Sequence, residues 1–179
     1  MTSEPDLREA LLAAVPSLRA FAISLSGQVD KADDLVQDTL LRALANLHRF
    51  ERGTNLNAWL FTILRNLFHS EYRKRRREVE DPDGSYAGRL KIQPEQGAHL
   101  DFEDFRAALA RLPSDQREAL LLVGASGFSY EEAAGICGCA VGTIKSRVNR
   151  ARLRLAALLN VDDVDDLGPD SMTRAALQG

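Results

Sequence analysis

Several features common in other proteins are missing from this 179-residue sequence. No apolar run approaches the ~20 residues a bilayer span requires. The opening MTSEPDLREA has neither the charged nor the greasy region of a signal peptide, so a cytoplasmic protein without membrane attachment is expected. Cysteine is nearly absent. Cys137 and Cys139 are the only two, and His48, His69 and His99 all lie far from them in sequence. A metal centre needs about four ligands, so these cysteines read as small residues filling a helix end and turn. No GxxxxGK[ST] loop occurs, and no nucleophile, base and orienter stand together, which argues against an enzyme and against a bound cofactor. Acidic residues are missing altogether from 140 to 160.

That last absence belongs to a segregation the net charge of −3 conceals. Counted in blocks, residues 1–52 carry −2, 53–77 carry +5, 78–139 carry −7, 140–160 carry +5 and 161–179 carry −4. Two cationic blocks sit in an acidic chain, the footprint of a nucleic-acid binder whose average charge misleads. The second block ends a well-marked pattern. Ser129 and Glu132 form a capping box that starts a helix, and Gly138 can take the left-handed conformation that ends it near Cys137. Beyond the turn, Ile144, Val148, Ala151, Leu155 and Leu158 recur at helical spacing, leaving the other faces to cations. A short helix, a glycine turn and a basic helix make a helix-turn-helix, whose second helix fits a DNA major groove about 12 Å wide.

The rest of the chain also reads as helical. Apolar residues from Leu7 to Leu25 form a helical stripe interrupted by Pro16, which predicts two segments with a break there, ended by Gly27 and the polar residues to Asp30. Residues 31–50 read as one amphipathic helix, with Leu35, Thr39, Ala43 and Leu47 on one stripe and Leu40, Leu41 and Leu44 beside it. A polar loop runs to Asn57. From Ala58 a helix follows and ends in the consecutive cations Arg73, Lys74, Arg75, Arg76 and Arg77, more than a helix C-terminus needs for its dipole. Trp59, Phe61 and Phe68 on this helix could stack on unpaired bases or fill the core, the core being favoured for Trp59. Residues 78–100 hold prolines, glycines and acids without an apolar period and read as a linker. Helices are expected at 101–112 and, after Pro113, over SDQREALLLVGA, and the acidic tail 161–179 reads as largely unstructured. The expected fold class is all-α, with two small helical domains at 1–77 and 101–160.

The paired stretches ADDLVQDTLLRALANLHRF with NAWLFTILRNLFHSEYRKRRR, and LPSDQREALLLVGASGFSYEEAAGICGCAVGTIKSRVNRARLRL after the linker, resemble a bacterial extracytoplasmic-function (ECF) sigma factor over residues 7–160. AVPSLRAFAISLSG further resembles the general-stress-response subgroup, whose members are held by a small anti-sigma protein that a sigma-mimicking response regulator draws away. The resemblance implies a dissociable specificity subunit of RNA polymerase, monomeric within the holoenzyme. Region 2 would fall in 1–77 and region 4 in 101–160. Its partners would be the core's β′ clamp helices and β flap, promoter DNA and an anti-sigma factor.

Carried over to this sequence, the resemblance implies core-polymerase contacts from Asp33, Asp34, Leu35, Gln37, Asp38, Leu41 and Arg42. It implies recognition and melting of the −10 element by Arg52, Gly53, Thr54, Asn55, Asn57, Arg65, Asn66 and the run Arg73, Lys74, Arg75, Arg76, Arg77. Flipped bases need a pocket of hydrogen-bonding groups, which the polar loop supplies, and a cationic tail to hold the backbone. The −35 element would meet Thr143, Lys145, Ser146, Asn149 and Arg150 as base or phosphate contacts, and Arg147, Arg152 and Arg154 as phosphate contacts. The alternatives are a sigma mimic that sequesters an anti-sigma factor and a stand-alone repressor. The first has no use for two cationic blocks and the second none for residues 31–77.

Overall fold

The computed structural model describes residues 4–78 and 100–160; the acidic tail and all but the end residues of the expected linker lie outside them. Among the described residues every regular element is helical, and the chain divides into two compact units. The first contains α1 (Glu4–Ser26), α2 (Val29–Ala45), a 3-10 turn (Leu47–Arg49) and α3 (Leu56–Glu78). The chain continues with α4 (Leu100–Ala110), α5 (Ser114–Leu120), a π-helical turn (Leu121–Ala125), α6 (Tyr130–Cys137) and α7 (Val141–Leu159), all in the second unit except Gly135–Cys137.

In the first unit the three helices pack on one another around Leu18, Phe21, Leu35, Leu60, Phe61 and Leu64, with the Phe21 and Phe61 rings 5.0 Å apart. Each such side chain contributes about 1.5–3 kcal/mol on leaving water. Thr39 is fully buried among them and satisfies its hydroxyl by donating to the Leu35 carbonyl at 2.7 Å.

Contrary to expectation, α1 runs unbroken through Pro16. The ring removes the donor for the Leu12 carbonyl, but Pro16 is exposed and Leu12 is 70% exposed, so water reaches the freed group and the cost falls. The 20-residue window Leu7–Ser26 is also long and apolar enough to cross a membrane by composition, longer than the sequence reading allowed. Here it is a core helix, with Leu11, Leu18, Phe21 and Leu25 buried. Gly27, at φ 69°, ends it.

The helix expected over 31–50 instead spans Val29–Ala45. Asn46 stops it by donating its side-chain amide to the Arg42 carbonyl at 2.8 Å, competing with the next helical turn. Of its two apolar stripes only one is core, since Leu35, Thr39 and Ala43 are buried while Leu41 and Leu44 are 65% and 47% exposed. Helix α3 starts two residues before Ala58, because Asn55 Oδ1 accepts the Ala58 N–H at 3.2 Å and caps it.

In the second unit α7 packs against α4 and α5. The segment after Pro113 is α-helical to Leu120 and then widens, with Ser126 N–H reaching the Leu121 carbonyl five residues back at 2.9 Å. Burial lowers the Arg117 guanidinium pKa, and its Nη1 donates to the Ala110 carbonyl at 3.2 Å.

Candidate nucleic-acid interface

The α6–α7 pair is built as its sequence signals require. Ser129 N–H donates to Glu132 Oε2 at 2.9 Å and Glu132 N–H donates to Ser129 Oγ at 3.0 Å, the reciprocal capping box. At the other end Gly138 takes φ 65°, and Cys139 N–H reaches back to the Ala134 carbonyl at 3.1 Å in a Schellman closure. The chain then turns into α7, whose N-cap Ala140 offers no side-chain hydrogen bond. Ile144, Val148, Ala151 and Leu155 are buried as expected, while Leu158 is half-buried and Ala156 takes the inward position near the helix end. Asn160, at φ 53°, terminates α7.

The outward face of α7 presents Lys145, Asn149, Arg150 and Arg154, all exposed, with Leu153 among them. At about 100° per residue, Asn149 and Arg150 lie on the side of α7 away from the buried residues, while Lys145 and Arg154 flank that side about 180° apart around the axis. Lys145 Nζ sits 5.7 Å from the Tyr130 ring centroid, a cation–π contact that steadies a long side chain from α6. Thr143 and Ser146, on the same side of the helix, are half-buried. Arg147 and Arg152 differ from the other cations in being half-buried. Arg147 Nε pairs with Asp115 Oδ2 of α5 at 3.4 Å, and its Nη1 lies 4.0 Å from Cys139 Sγ. Arg147 thereby ties α7 to α5 and to the turn.

In the first unit, the loop before α3 is a tight turn. Gly53 adopts φ 93°, and Thr54 donates both its N–H (3.2 Å) and its hydroxyl (2.6 Å) to the Glu51 carbonyl. The Phe50 and Trp59 rings meet at 5.2 Å and pin the loop to α3. Arg52, Gly53, Thr54, Asn55, Asn57 and Asn66 are exposed and Arg65 is half-buried. Asn55 also serves as the α3 cap. The five cations Arg73, Lys74, Arg75, Arg76 and Arg77 are all exposed on the last turns of α3. Tyr72, overlooked in the sequence, is 48% exposed beside them and stacks on Phe68 with centroids 6.4 Å apart; its i+4 spacing from Phe68 was the available signal.

On α2 the expected docking residues separate. Asp34, Gln37, Asp38, Leu41 and Arg42 are exposed. Leu35 is only 3% exposed and belongs to the bundle core, a correction that follows from its position on the Thr39–Ala43 stripe. Asp33 is engaged by Arg19 of α1, at 2.6 Å to Nε and 3.4 Å to Nη2. That hydrogen bond, with the attraction of the carboxylate, raises the Arg19 pKa above its ordinary value. Leu44, not expected at this surface, extends the exposed stripe beyond Leu41. Among the described residues no group of three or more His, Cys, Asp or Glu side chains is arranged to hold a metal.

Comparison with known proteins matches this geometry. Residues 11–78 match the family model for Sigma-70 region 2 and residues 102–155 that for Sigma-70, region 4. A helical bundle followed by a helix-turn-helix unit, matched in this order, defines a sigma factor of the sigma-70 class. The chain is 75% identical over 174 residues, 97% of its length and 96% of the relative's, to the ECF RNA polymerase sigma factor EcfG of Rhodopseudomonas palustris. It therefore belongs to the ECF RNA polymerase sigma factor family. Among solved structures it resembles the sigma factor RpoE in complex with the anti-sigma factor NepR from Bartonella quintana. That match has a TM-score of 0.80 at 61% identity, covering 88% of this chain and 99% of that one. It also resembles CnrH in complex with the cytosolic domain of CnrY, with a TM-score of 0.66 at 27% identity, covering 90% and 92%.

Proposed function

We propose that this chain is the dissociable subunit that gives core RNA polymerase its promoter specificity, probing the −35 element with α7 and engaging and opening the −10 element with the 50–57 loop and α3. Region 2 occupies 1–77 and region 4 occupies 101–160. The exposed α2 stripe docks on the β′ clamp helices, and the region 4 unit meets the β flap. The observation that carries this reading is the exposed half of α7, where Asn149 and Arg150 face away from the core between Lys145 and Arg154, because exposed cations flanking an amide suit phosphates and base edges together.

A single helix with a few phosphate contacts binds weakly and with steep salt dependence. Held on one polymerase with a second cationic surface, it gains from effective concentration. The polymerase works in the cytoplasm, which sets the protein's location. The relatives solved with anti-sigma factors support control by a small anti-sigma protein, within a stress-response system. A sigma mimic is not favoured, since the relative 75% identical over nearly the whole chain is itself a sigma factor.

Sequencing the DNA retained by the protein with core polymerase tests the reading. Enrichment of a two-element motif, absent with core alone, is the expected result. Failure to bind core polymerase in a pull-down refutes it.

A further inference from the structure

The five cations at 73–77 are consecutive in sequence but do not share one face of α3. At about 100° per residue, Arg73 lies about 40° from Arg77 around the helix, whereas Arg75 lies about 160° from Arg77. The surface follows this division. Arg73, Lys74 and Arg77 line one shallow depression with Ser70 and Glu78. Arg75 lines a different cleft, of about 250 Å³, with Glu71 of its own helix and Lys31, Asp34, Gln37 and Asp38 of α2. Two i, i+4 pairs, Asp34 with Asp38 and Glu71 with Arg75, form its facing walls. The cleft carries three carboxylates against two cations, so its field is acidic despite the basic run beside it.

DNA phosphate is repelled by such a cleft, because the three carboxylates already compensate Arg75. The same cleft is continuous with the exposed α2 stripe through Asp34, Gln37 and Asp38, and onward to Leu41 and Leu44. An acidic end followed by an apolar end suits a protein helix that presents Arg or Lys beside apolar side chains. We infer that Glu71 and Arg75 belong to the polymerase-docking surface, and that the phosphate-binding face of α3 is Arg73, Lys74 and Arg77 without Arg75. The inference rests on the sigma-factor reading and divides its surfaces residue by residue.

The test uses the full chain with core polymerase and a promoter fragment, comparing Arg73→Ala, Lys74→Ala, Arg77→Ala, Arg75→Ala and Glu71→Lys. All five side chains are exposed, and thermal midpoints confirm that each variant is folded. For holoenzyme binding DNA, the slope of log affinity against log salt falls by about 0.7–0.9 for each phosphate the protein no longer neutralises. That decrease is expected for Arg73→Ala, Lys74→Ala and Arg77→Ala, with core affinity unchanged. Arg75→Ala leaves the slope unaltered. Glu71→Lys weakens assembly with core about tenfold, because a reversed charge repels the partner's cations. A slope decrease in Arg75→Ala equal to that of Arg73→Ala overturns the inference, as does unchanged core affinity in Glu71→Lys. If the wild-type chain itself fails to bind core, the sigma-factor reading falls instead.

Discussion

Replacing Lys145, Asn149 and Arg150 together with alanine removes three of the four exposed polar side chains assigned to DNA on α7 without touching the buried stripe of Ile144, Val148, Ala151 and Leu155. The helix should persist, since alanine is the best helix former and the inward packing is intact. The largest structural loss is the cation–π interaction of Lys145 with Tyr130, worth about 0.5–1 kcal/mol at an exposed site. The functional loss is larger. Two cations meeting duplex phosphates steepen the salt dependence by about 0.9 each, so the variant's log–log slope should be shallower by about 1.8. Between 50 and 200 mM salt the wild-type holoenzyme should then lose about 12-fold more affinity than the variant does. If Asn149 reads a base edge, its removal adds about 1–3 kcal/mol of lost discrimination between matched and mismatched −35 sequences. Fluorescence anisotropy of a labelled promoter across a salt series, with run-off transcription alongside, measures both quantities. An unchanged slope with unchanged transcription refutes the assignment of this face to DNA.

Other consequences are local. Leu35→Ala should cost about 2–5 kcal/mol, because a fully packed position is emptied; the sole tryptophan, Trp59, lies in the same unit and reports its unfolding by fluorescence. A variant that unfolds normally but fails to bind polymerase would instead mean that Leu35 faces the partner. Ser129→Ala removes half of the capping box and should cost about 1 kcal/mol, seen as roughly fivefold faster amide hydrogen exchange across α6; unchanged exchange would show that the cap is not holding the helix. Gly138→Ala and Gly135→Ala should act in opposite directions, although an added Cβ meets nothing within 4 Å at either position. At Gly138 the left-handed backbone costs a side chain about 1–2 kcal/mol, whereas within α6 alanine gains about 0.5–1 kcal/mol, and denaturant midpoints separate the two. Asp115→Ala should cost at most about 1 kcal/mol in stability while releasing Arg147, so promoter affinity at low salt should rise; a fall would mean that the ion pair holds α7 in its reading position.

The unusual property of this chain is the way charge is distributed. Two cationic blocks keep exposed positive surface inside an acidic protein because helices separate faces. On α7 every exposed charge is positive and the inward stripe is apolar. On α2 and α3 acids and bases share faces, Glu71 and Arg75 lining one cleft with Asp34 and Asp38 while Glu78 lies beside Arg73, Lys74 and Arg77. Net charge per segment therefore marks the candidate nucleic-acid segments, and the periodicity of the helix sets which of their residues face outward.

Much of this was legible in the sequence because it depends on interactions within a few residues. Capping, the Gly138 closure and the Ile144-to-Leu155 stripe are local, and each was found where the spacing required. The all-α class and the order of the two units follow from the same signals repeated along the chain. Other features depended on groups distant in sequence. Whether Pro16 breaks α1 was decided by which side of the helix faces water. Which α2 stripe is core was decided by α1 and α3, leaving Leu35 inside and Leu41 and Leu44 outside. Two charged residues that looked free in sequence, Asp33 and Arg147, were claimed by partners 14 and 32 residues away, Arg19 and Asp115. The sequence by itself determined where helices begin, end and carry charge, since those are properties of neighbouring residues. Only the tertiary structure decided which charges remain available to a partner, because that depends on what the other helices bring beside them.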